Sequence, residues 1–392
     1  MNLEAIQAAL REASLDGWLF YDHHRRDPIA YRVLGIDPVM CTRRWYYLIP
    51  SEGEPAKLVH RIEAQNLNDL PGTEERYSSW REQGDGLSRL LHGKTRVAMQ
   101  YSALNSIPYV GLVDAGTVEL VRSYGVEVIS SGDLVQQFES CWSEEQRQSH
   151  LAAGEVVHEA VRTAFTAIRS AVRAGQSIGE YDVQRAMMHL FEAKGIVTGE
   201  PPCVAVNAHT ANPHYSPTQQ ASAPIRAGDF VLLDVWGKQH KPGAVYFDIT
   251  WTGYVGEQVP QRFTTIFEVV RKARDTAIAL VQESLHAGHT LRGYEVDDAA
   301  RQVIERHGYG NFFVHRTGHS IGEDVHGNGA NMDNFETHDE RRIVPLTCFS
   351  IEPGIYFPDF GVRSEVNVFT GVRDARVTGE IQTKVVPILA AP

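Results

Sequence analysis

Two stretches of this chain share one shape: an apolar strand, a turn and an apolar return, with a single acid on each arm. Phe230 to Trp236 carries Asp234, and Val245 to Thr252 carries Asp248, with Gly237 to Gly243 between them. Two such runs joined by a glycine-bounded loop predict a hairpin. Downstream, Cys348 to Phe357 carries Glu352, Pro358 to Gly361 makes a turn, and Val362 to Phe369 returns with Glu365. Side chains alternate along a strand, which puts Asp234 on one face with Leu232 and Trp236, and Asp248 with Tyr246 and Thr250. An acid in such a run is costly to bury unless it is paired or bound to a metal. Four inward carboxylates repel one another, and without cations some must stay protonated. Divalent metal is the simplest way to hold them together; a solvated acidic face is the alternative.

Histidines add to the pattern. His315-Arg-Thr-Gly-His319-Ser-Ile-Gly-Glu-Asp-Val-His326-Gly is rich in glycine and imidazole, and Asn207 to Tyr215, with His209 and His214, has the same character. Both read as shaped loops rather than helices. A lone histidine is more often a satisfied core or surface residue, but several beside four strand acids point to ligands.

The rest of the chain falls into two parts. Residues 1–142 alternate helical and strand patterns, with strands expected at Gly17–Tyr21, Arg44–Pro50, Ala56–His60, Arg96–Gln100 and Val126–Ser130, an α/β domain. Ser143-Glu-Glu-Gln146 has the capping-box pattern that opens a helix, which is expected to run to Gly175. Ser177-Ile-Gly-Glu180 repeats the signal for a second helix through Phe191. Helices are also expected over Gln261–Leu285 and Tyr294–His307. Residues 143–392 thus mix long helices with hairpins, an α+β domain. Neither low-complexity segments nor short-period repeats are present.

Composition bounds the function. A net charge of -12 argues against nucleic-acid binding, which needs a basic surface. The four cysteines, Cys41, Cys141, Cys203 and Cys348, form no CxxC pair and read as reduced thiols. The N-terminus lacks a signal-peptide pattern, and no apolar run approaches the roughly 20 residues a membrane helix needs. A cytoplasmic protein is expected.

These segments resemble the pita-bread metallopeptidases, the family of methionine aminopeptidase, aminopeptidase P and prolidase. The motifs run in the order Pro213-His214, Asp234, Asp248, Gly318-His319-Ser-Ile-Gly322, Glu352-Pro-Gly354 and Arg363-Ser-Glu365. The N-terminal domain resembles the creatinase-type α/β domain carried by the Xaa-Pro branch. The short path from Glu352 to Glu365 is similar to compact microbial prolidases, which favours a dipeptidase over an aminopeptidase acting on longer peptides.

The resemblance implies two divalent ions. Asp234 and Asp248 would bind one, His319 and Glu352 the other, and Asp248 and Glu365 would bridge both. Mostly oxygen ligands with one imidazole suit Mn²⁺ first, with Co²⁺, Zn²⁺ and Fe²⁺ as alternatives. Glu352 would move the proton from the attacking water to the departing proline nitrogen. His326 and His315 would donate to the oxyanion and the substrate carboxylate, with orienting its neighbour loop as the alternative for His315. His214 would line the proline pocket or steady the same oxygen. Arg363 would neutralise a ligand acid or join a proton relay, with a structural ion pair as the alternative. Arg341 or Arg342 could hold the substrate carboxylate or sit in a solvated turn. Tyr246 and His240, in or beside the first hairpin's loop, carry no assigned role. A homodimer is implied, with His23 to Arg26 and Arg43 to Trp45 as loops that could reach a neighbour or form ordinary surface.

Four positions depart from the family pattern. Thirteen residues separate Asp234 from Asp248, more than usual; Trp251 replaces an arginine; Gly327 follows His326 in place of an acid; and Ser364 replaces an apolar residue. Other chemistry on the same fold, a non-peptide amide hydrolase or lyase, or a non-catalytic peptide-binding module, are the alternatives.

Overall fold

The computed structural model describes residues 1–38 and 40–390. They divide into two compact units, Met1–Glu139 and Ser140–Pro392. This division precedes the expected 142/143 boundary because Trp142 packs with the second unit. Its backbone N–H donates to Leu346 O at 2.7 Å, and its ring lies in a small core with Val245 and Ile321.

Among the described residues, the first unit has helices α1 (Leu3–Glu12), α2 (Pro28–Leu34), α3 (Trp80–Leu90), α4 (Ala115–Ser123) and α5 (Gly132–Val135). Its strands are β1 (Gly17–Asp22), β2 (Trp45–Pro50), β3 (Ala56–His60), β4 (Thr73–Tyr77), β5 (Arg96–Met99) and β6 (Glu127–Ser130). They form a mixed sheet in the order β4-β3-β2-β1-β5-β6. Strands β1 and β2 are buried along their whole length, which explains their unbroken apolar runs. Edge strand β4, sequence Thr-Glu-Glu-Arg-Tyr, was not expected: only Tyr77 of it is buried, so it has no hydrophobic pattern to read.

The second unit begins with α6 (Glu144–Arg173), capped by the reciprocal Ser143/Gln146 box, and α7 (Glu180–Lys194). The cap of α7 is Gly179, whose N–H donates to Asp182 Oδ2 at 2.8 Å, so the helix opens later than the Ser177 signal suggests. The cause is Glu180, whose side chain is committed elsewhere. Then come β7 (Ile196–Val197), β8 (Cys203–Val206), β9 (Phe230–Gln239) and β10 (Phe247–Tyr254), and helices α8 (Gln261–Ala287) and α9 (Gly293–Arg306). Strand β10 starts two residues later than expected because Tyr246 N–H donates to Gly322 O instead of joining the ladder. The chain continues with β11 (Ser320–Ile321), β12 (Cys348–Ile351), β13 (Gly354–Tyr356), β14 (Gly361–Arg363), β15 (Val366–Thr370), β16 (Ala375–Thr378) and β17 (Val386–Pro387).

The order is helix pair then hairpin, twice over. Helix α6 packs on β9 and β10 closely enough that a Cβ at Gly154 would stand 2.6 Å from the Phe247 ring. Replacing Phe247 by alanine would leave a cavity costing about 3–5 kcal/mol. Helix α8 packs on the β12–β16 half, around Val362, Val366 and Val368. The two sheets meet where β10 runs beside β15, and the acids collect on that seam.

Candidate metal centre

Strand register fixes the acids. In the β9–β10 ladder Asp234 pairs with Thr250 and Asp248 with Trp236, so all four side chains share one face. Trp251 therefore points to the opposite face, where it packs with the α6 core and lies edge-on to His158. This departure from the family pattern stays off the acid-bearing face.

Glu352 and Glu365 sit in the gap between two ladders of one hairpin. Ile351 pairs with Val366 above them and Gly354 with Arg363 below. At the gap their backbones turn outward: Glu352 N–H donates to Thr317 O at 2.7 Å, and Glu365 N–H to Thr250 O at 3.3 Å. Both acids are thereby aimed across the seam. His319 arrives from the preceding loop, its N–H bonded to Ser350 Oγ at 2.9 Å, and Ser350 Oγ donates to Glu352 Oε1 at 3.0 Å.

Asp248, His319 and Glu365 each offer a ligand atom, all within 4.8 Å of one another. His319 Nε2 lies 3.6 Å from Asp248 Oδ2 and 3.4 Å from Glu352 Oε1. Asp248 Oδ1 and Glu365 Oε1 are buried and have no hydrogen-bond partner among the described residues. Orphaned buried carboxylate oxygens are costly in a protein interior, and paired with an imidazole they form a donor set suited to a divalent cation. Burial first, then the neighbouring carboxylates, pushes the Asp248 and Glu365 carboxyls well above the ordinary range. Burial raises Asp234 and Glu352 as well, against the opposing charge of Arg363.

Arg363, 3% exposed, bonds Asp234 Oδ2 with its terminal nitrogen and Thr250 Oγ1 with Nε at 2.9 Å, and stands 3.8 Å from Glu352 Oε2. Thr250 donates to Glu365 Oε2 at 2.8 Å and lies 3.2 Å from Asp234 Oδ1. This hydroxyl ties three of the candidate residues together, and its one sequence signal was its place two residues after Asp248.

The imidazoles differ in placement. Burial and then the Arg316 charge lower the His319 pKa to about 3, so it stays neutral, the form in which imidazole binds a metal. Its Nδ1 lies 3.1 Å from Ser320 O. His326 packs edge-on against it with ring centres 4.3 Å apart, and that neighbour, then burial, lowers His326 to about 2. Gly327 packs closely beside it: a Cβ there would meet Ser320 Oγ at 3.0 Å and the Ile321 and Gly322 backbone at 3.1 Å.

For His315 the geometry supports the orienting role over the donor role. Its Nδ1 donates to Arg316 O at 2.6 Å, and burial followed by Arg363 lowers its pKa to about 3. In that neutral tautomer Nε2 is an acceptor, filled by Tyr356 O–H at 2.7 Å. His315 therefore has no proton to donate to a substrate carboxylate; it orients Tyr356, whose oxygen also accepts from Arg363 at 3.2 Å. Tyr356 was missed in the sequence because it reads as an ordinary apolar strand residue. His214 is exposed at the rim, near enough to Asp234 and His326 for its charge to lower both.

Three other candidates lie elsewhere. Arg341 is neither in a solvated turn nor open to substrate: it is 4% exposed, clamped on Asp339 at 2.6 and 3.0 Å, and donates to Asn328 O at 2.7 Å. The Tyr246 ring packs under Lys238, and His240 is exposed with its N–H on Gly195 O. Ser364, buried beside Glu365, accepts from the buried Arg274 guanidinium at 2.7 Å, which accounts for a hydroxyl where an apolar residue is usual.

Comparison with known proteins bears on the fold and the family. The chain spans about half the length of the first curated relatives it matches; the Xaa-Pro dipeptidase of Lactobacillus helveticus is 34% identical over 219 residues, 54% of this chain and 52% of that protein. The crystal structure of dipeptidase PepE from Mycobacterium ulcerans superposes with a TM-score of 0.73 at 22% identity, covering 98% of this chain and 96% of that one. The prolidase from Thermococcus sibiricus gives 0.67 at 20% identity, covering 98% and 97%. At these identities the likeness establishes the fold, that of the pita-bread enzymes with their N-terminal α/β domain. The profile of metallopeptidase family M24 matches residues 149–371, more than half of the sequence, and the chain belongs to that family.

Proposed function

We propose that this chain hydrolyses the Xaa-Pro bond, with dipeptides preferred, using two divalent ions held by Asp234, Asp248, His319, Glu352 and Glu365. The observation that carries this reading is that Asp248 Oδ1 and Glu365 Oε1 are buried without a hydrogen-bond partner among the described residues, on two acids whose ligand atoms lie within 4.8 Å of one another and of the His319 imidazole. When bound, the metal pair lowers the pKa of water and polarises the scissile carbonyl. Glu352, its carboxyl already raised by burial, accepts the proton of the attacking water and delivers it to the proline nitrogen. His326 and His214 donate to the developing oxyanion from the open side. Arg363 fixes Asp234 and, through Tyr356 and His315, keeps the loop before His319 in place. The Xaa-Pro preference follows the printed name of the Lactobacillus helveticus relative.

Manganese is the proposed metal, for its suitability to an oxygen-rich set with one imidazole. A cytoplasmic homodimer goes with this reading; all four cysteines are free, and among the described residues no helix is long and apolar enough to cross a membrane. The test is release of proline from Ala-Pro, Leu-Pro and Ala-Pro-Ala with added Mn²⁺. Dipeptides should be cleaved faster than the tripeptide. No release from any of them, with activity on a non-peptide amide, would overturn the reading, and faster cleavage of the tripeptide would make it an aminopeptidase.

A further inference from the structure

We propose that Glu180, at the first position of α7, is a positioning residue that sets the place of His214. The Glu180 side chain is fully buried and takes four hydrogen bonds, every one from the 206–223 segment. Oε1 accepts from Val206 N–H at 2.9 Å and His209 Nδ1 at 2.8 Å; Oε2 accepts from Tyr215 O–H at 2.7 Å and Ala223 N–H at 2.8 Å. One carboxylate thus closes both ends of a loop whose middle carries His214. Inside the clamp, the His209 and Tyr215 rings stack with centroids 4.2 Å apart, so the residue next to His214 is held by its ring and by its hydroxyl.

The loop is anchored on its other flank too. Asn207 adopts the left-handed conformation at φ 50 and bonds Asp229 and Phe230 N–H, while Thr210 Oγ1 accepts from Gly361 N–H at 2.7 Å. Without Glu180, two backbone N–H groups and two side-chain donors of this loop would lose their acceptor, and buried donors left unpaired re-route the backbone. His214 itself makes a single local backbone bond, to Asn212 Oδ1. Its ring position is therefore inherited from the clamp. Glutamine cannot replace the carboxylate, since either orientation of its amide sets an NH₂ against a backbone N–H.

The proposal rests on the Xaa-Pro reading for its kinetic arm and on spectroscopy for an arm that needs no turnover. Four full-length proteins are compared with Mn²⁺: the parent, Glu180→Gln, His214→Ala and the double variant. In the parent background Glu180→Gln should lower kcat/KM on Ala-Pro about tenfold or more, mainly through kcat. In the His214→Ala background it should cost less than about threefold. The His214 ring resonance, followed in metal-free protein where no paramagnetic Mn²⁺ broadens it and assigned by its loss in His214→Ala, should shift in Glu180→Gln, while Mn²⁺ stoichiometry stays as in the parent. Tyr215→Phe, which leaves the carboxylate in place, should move both readouts the same way by less, and it carries the test if Glu180→Gln does not fold. Equal losses in both backgrounds, or an unmoved His214 resonance, would overturn the clamp. A parent inactive on Ala-Pro would refute the substrate reading, leaving the resonance to decide the clamp.

Discussion

Asn367 on β15 holds both backbone groups of Asp248 on β10: its Oδ1 accepts from the Asp248 N–H at 3.1 Å, and its Nδ2 donates to the Asp248 carbonyl. One buried side chain thus fixes the height of a candidate ligand on one sheet against the hairpin that carries the other two acids. Asn367→Asp would set an oxygen against the Asp248 carbonyl. It should lower unfolding free energy by about 2–4 kcal/mol in urea and weaken Mn²⁺ binding in calorimetry. An unchanged urea midpoint would show that apolar packing alone keeps the seam.

Thr250→Val preserves shape but removes the hydroxyl that reaches Asp234, Glu365 and Arg363. Arg363 Nε, buried, would lose that acceptor, at a cost of about 1–3 kcal/mol. The expected outcome is a fall in kcat on Ala-Pro with a smaller change in thermal midpoint. Parent-like kcat would contradict the role given to this hydroxyl.

Ser364→Ala installs the kind of residue usual at this place, yet it should destabilise the protein. Arg274, 1% exposed, would lose the acceptor at 2.7 Å and keep Gln382 O at 2.9 Å and Asp275. A loss of about 1–3 kcal/mol is expected by urea unfolding; a gain in stability would contradict the assignment.

Acid sensitivity should trace in part to His150. It is fully buried on α6, with Nδ1 donating to Tyr246 O at 2.6 Å and Nε2 accepting from Thr378 Oγ1 at 2.7 Å. Burial lowers its pKa to about 4, below the unfolded value of about 6.5. Between those values the unfolded chain binds one more proton than the native chain, so this contribution is present above pH about 6.5 and is lost as pH falls towards about 4. In metal-free protein, His150→Asn, which keeps a donor for Tyr246 O, should flatten the stability-against-pH slope there by up to about 1.4 kcal/mol per pH unit. Identical slopes for parent and variant would exclude this histidine as a source.

The strands that carry the acids were legible because a carboxylate inside an apolar alternation is locally anomalous, and the capping box at Ser143 opened its helix where the sequence put it. Residues whose meaning depends on distant partners were not legible. Asn367, Thr250 and Tyr356 look like ordinary strand residues until Asp248, Asp234 and His315 come within bonding distance from elsewhere in the chain. Arg341 failed for the same reason: its turn-like context hides the Asp339 carboxylate that draws it inside. Glu180 read as a helix-cap signal, whereas its carboxylate serves a loop 26 to 43 residues away. Edge strand β4 gave no signal, because four of its five side chains are at least partly exposed.

The acid cradle is the centre of this account, and metal stoichiometry tests it most directly. Chelator-treated protein titrated with Mn²⁺ and analysed by mass spectrometry should bind two equivalents per chain, and Glu365→Gln, which alters the acid beside His319 and Asp248, should fall to one or fewer. Less than one equivalent in the parent, or two retained by Glu365→Gln, would contradict it.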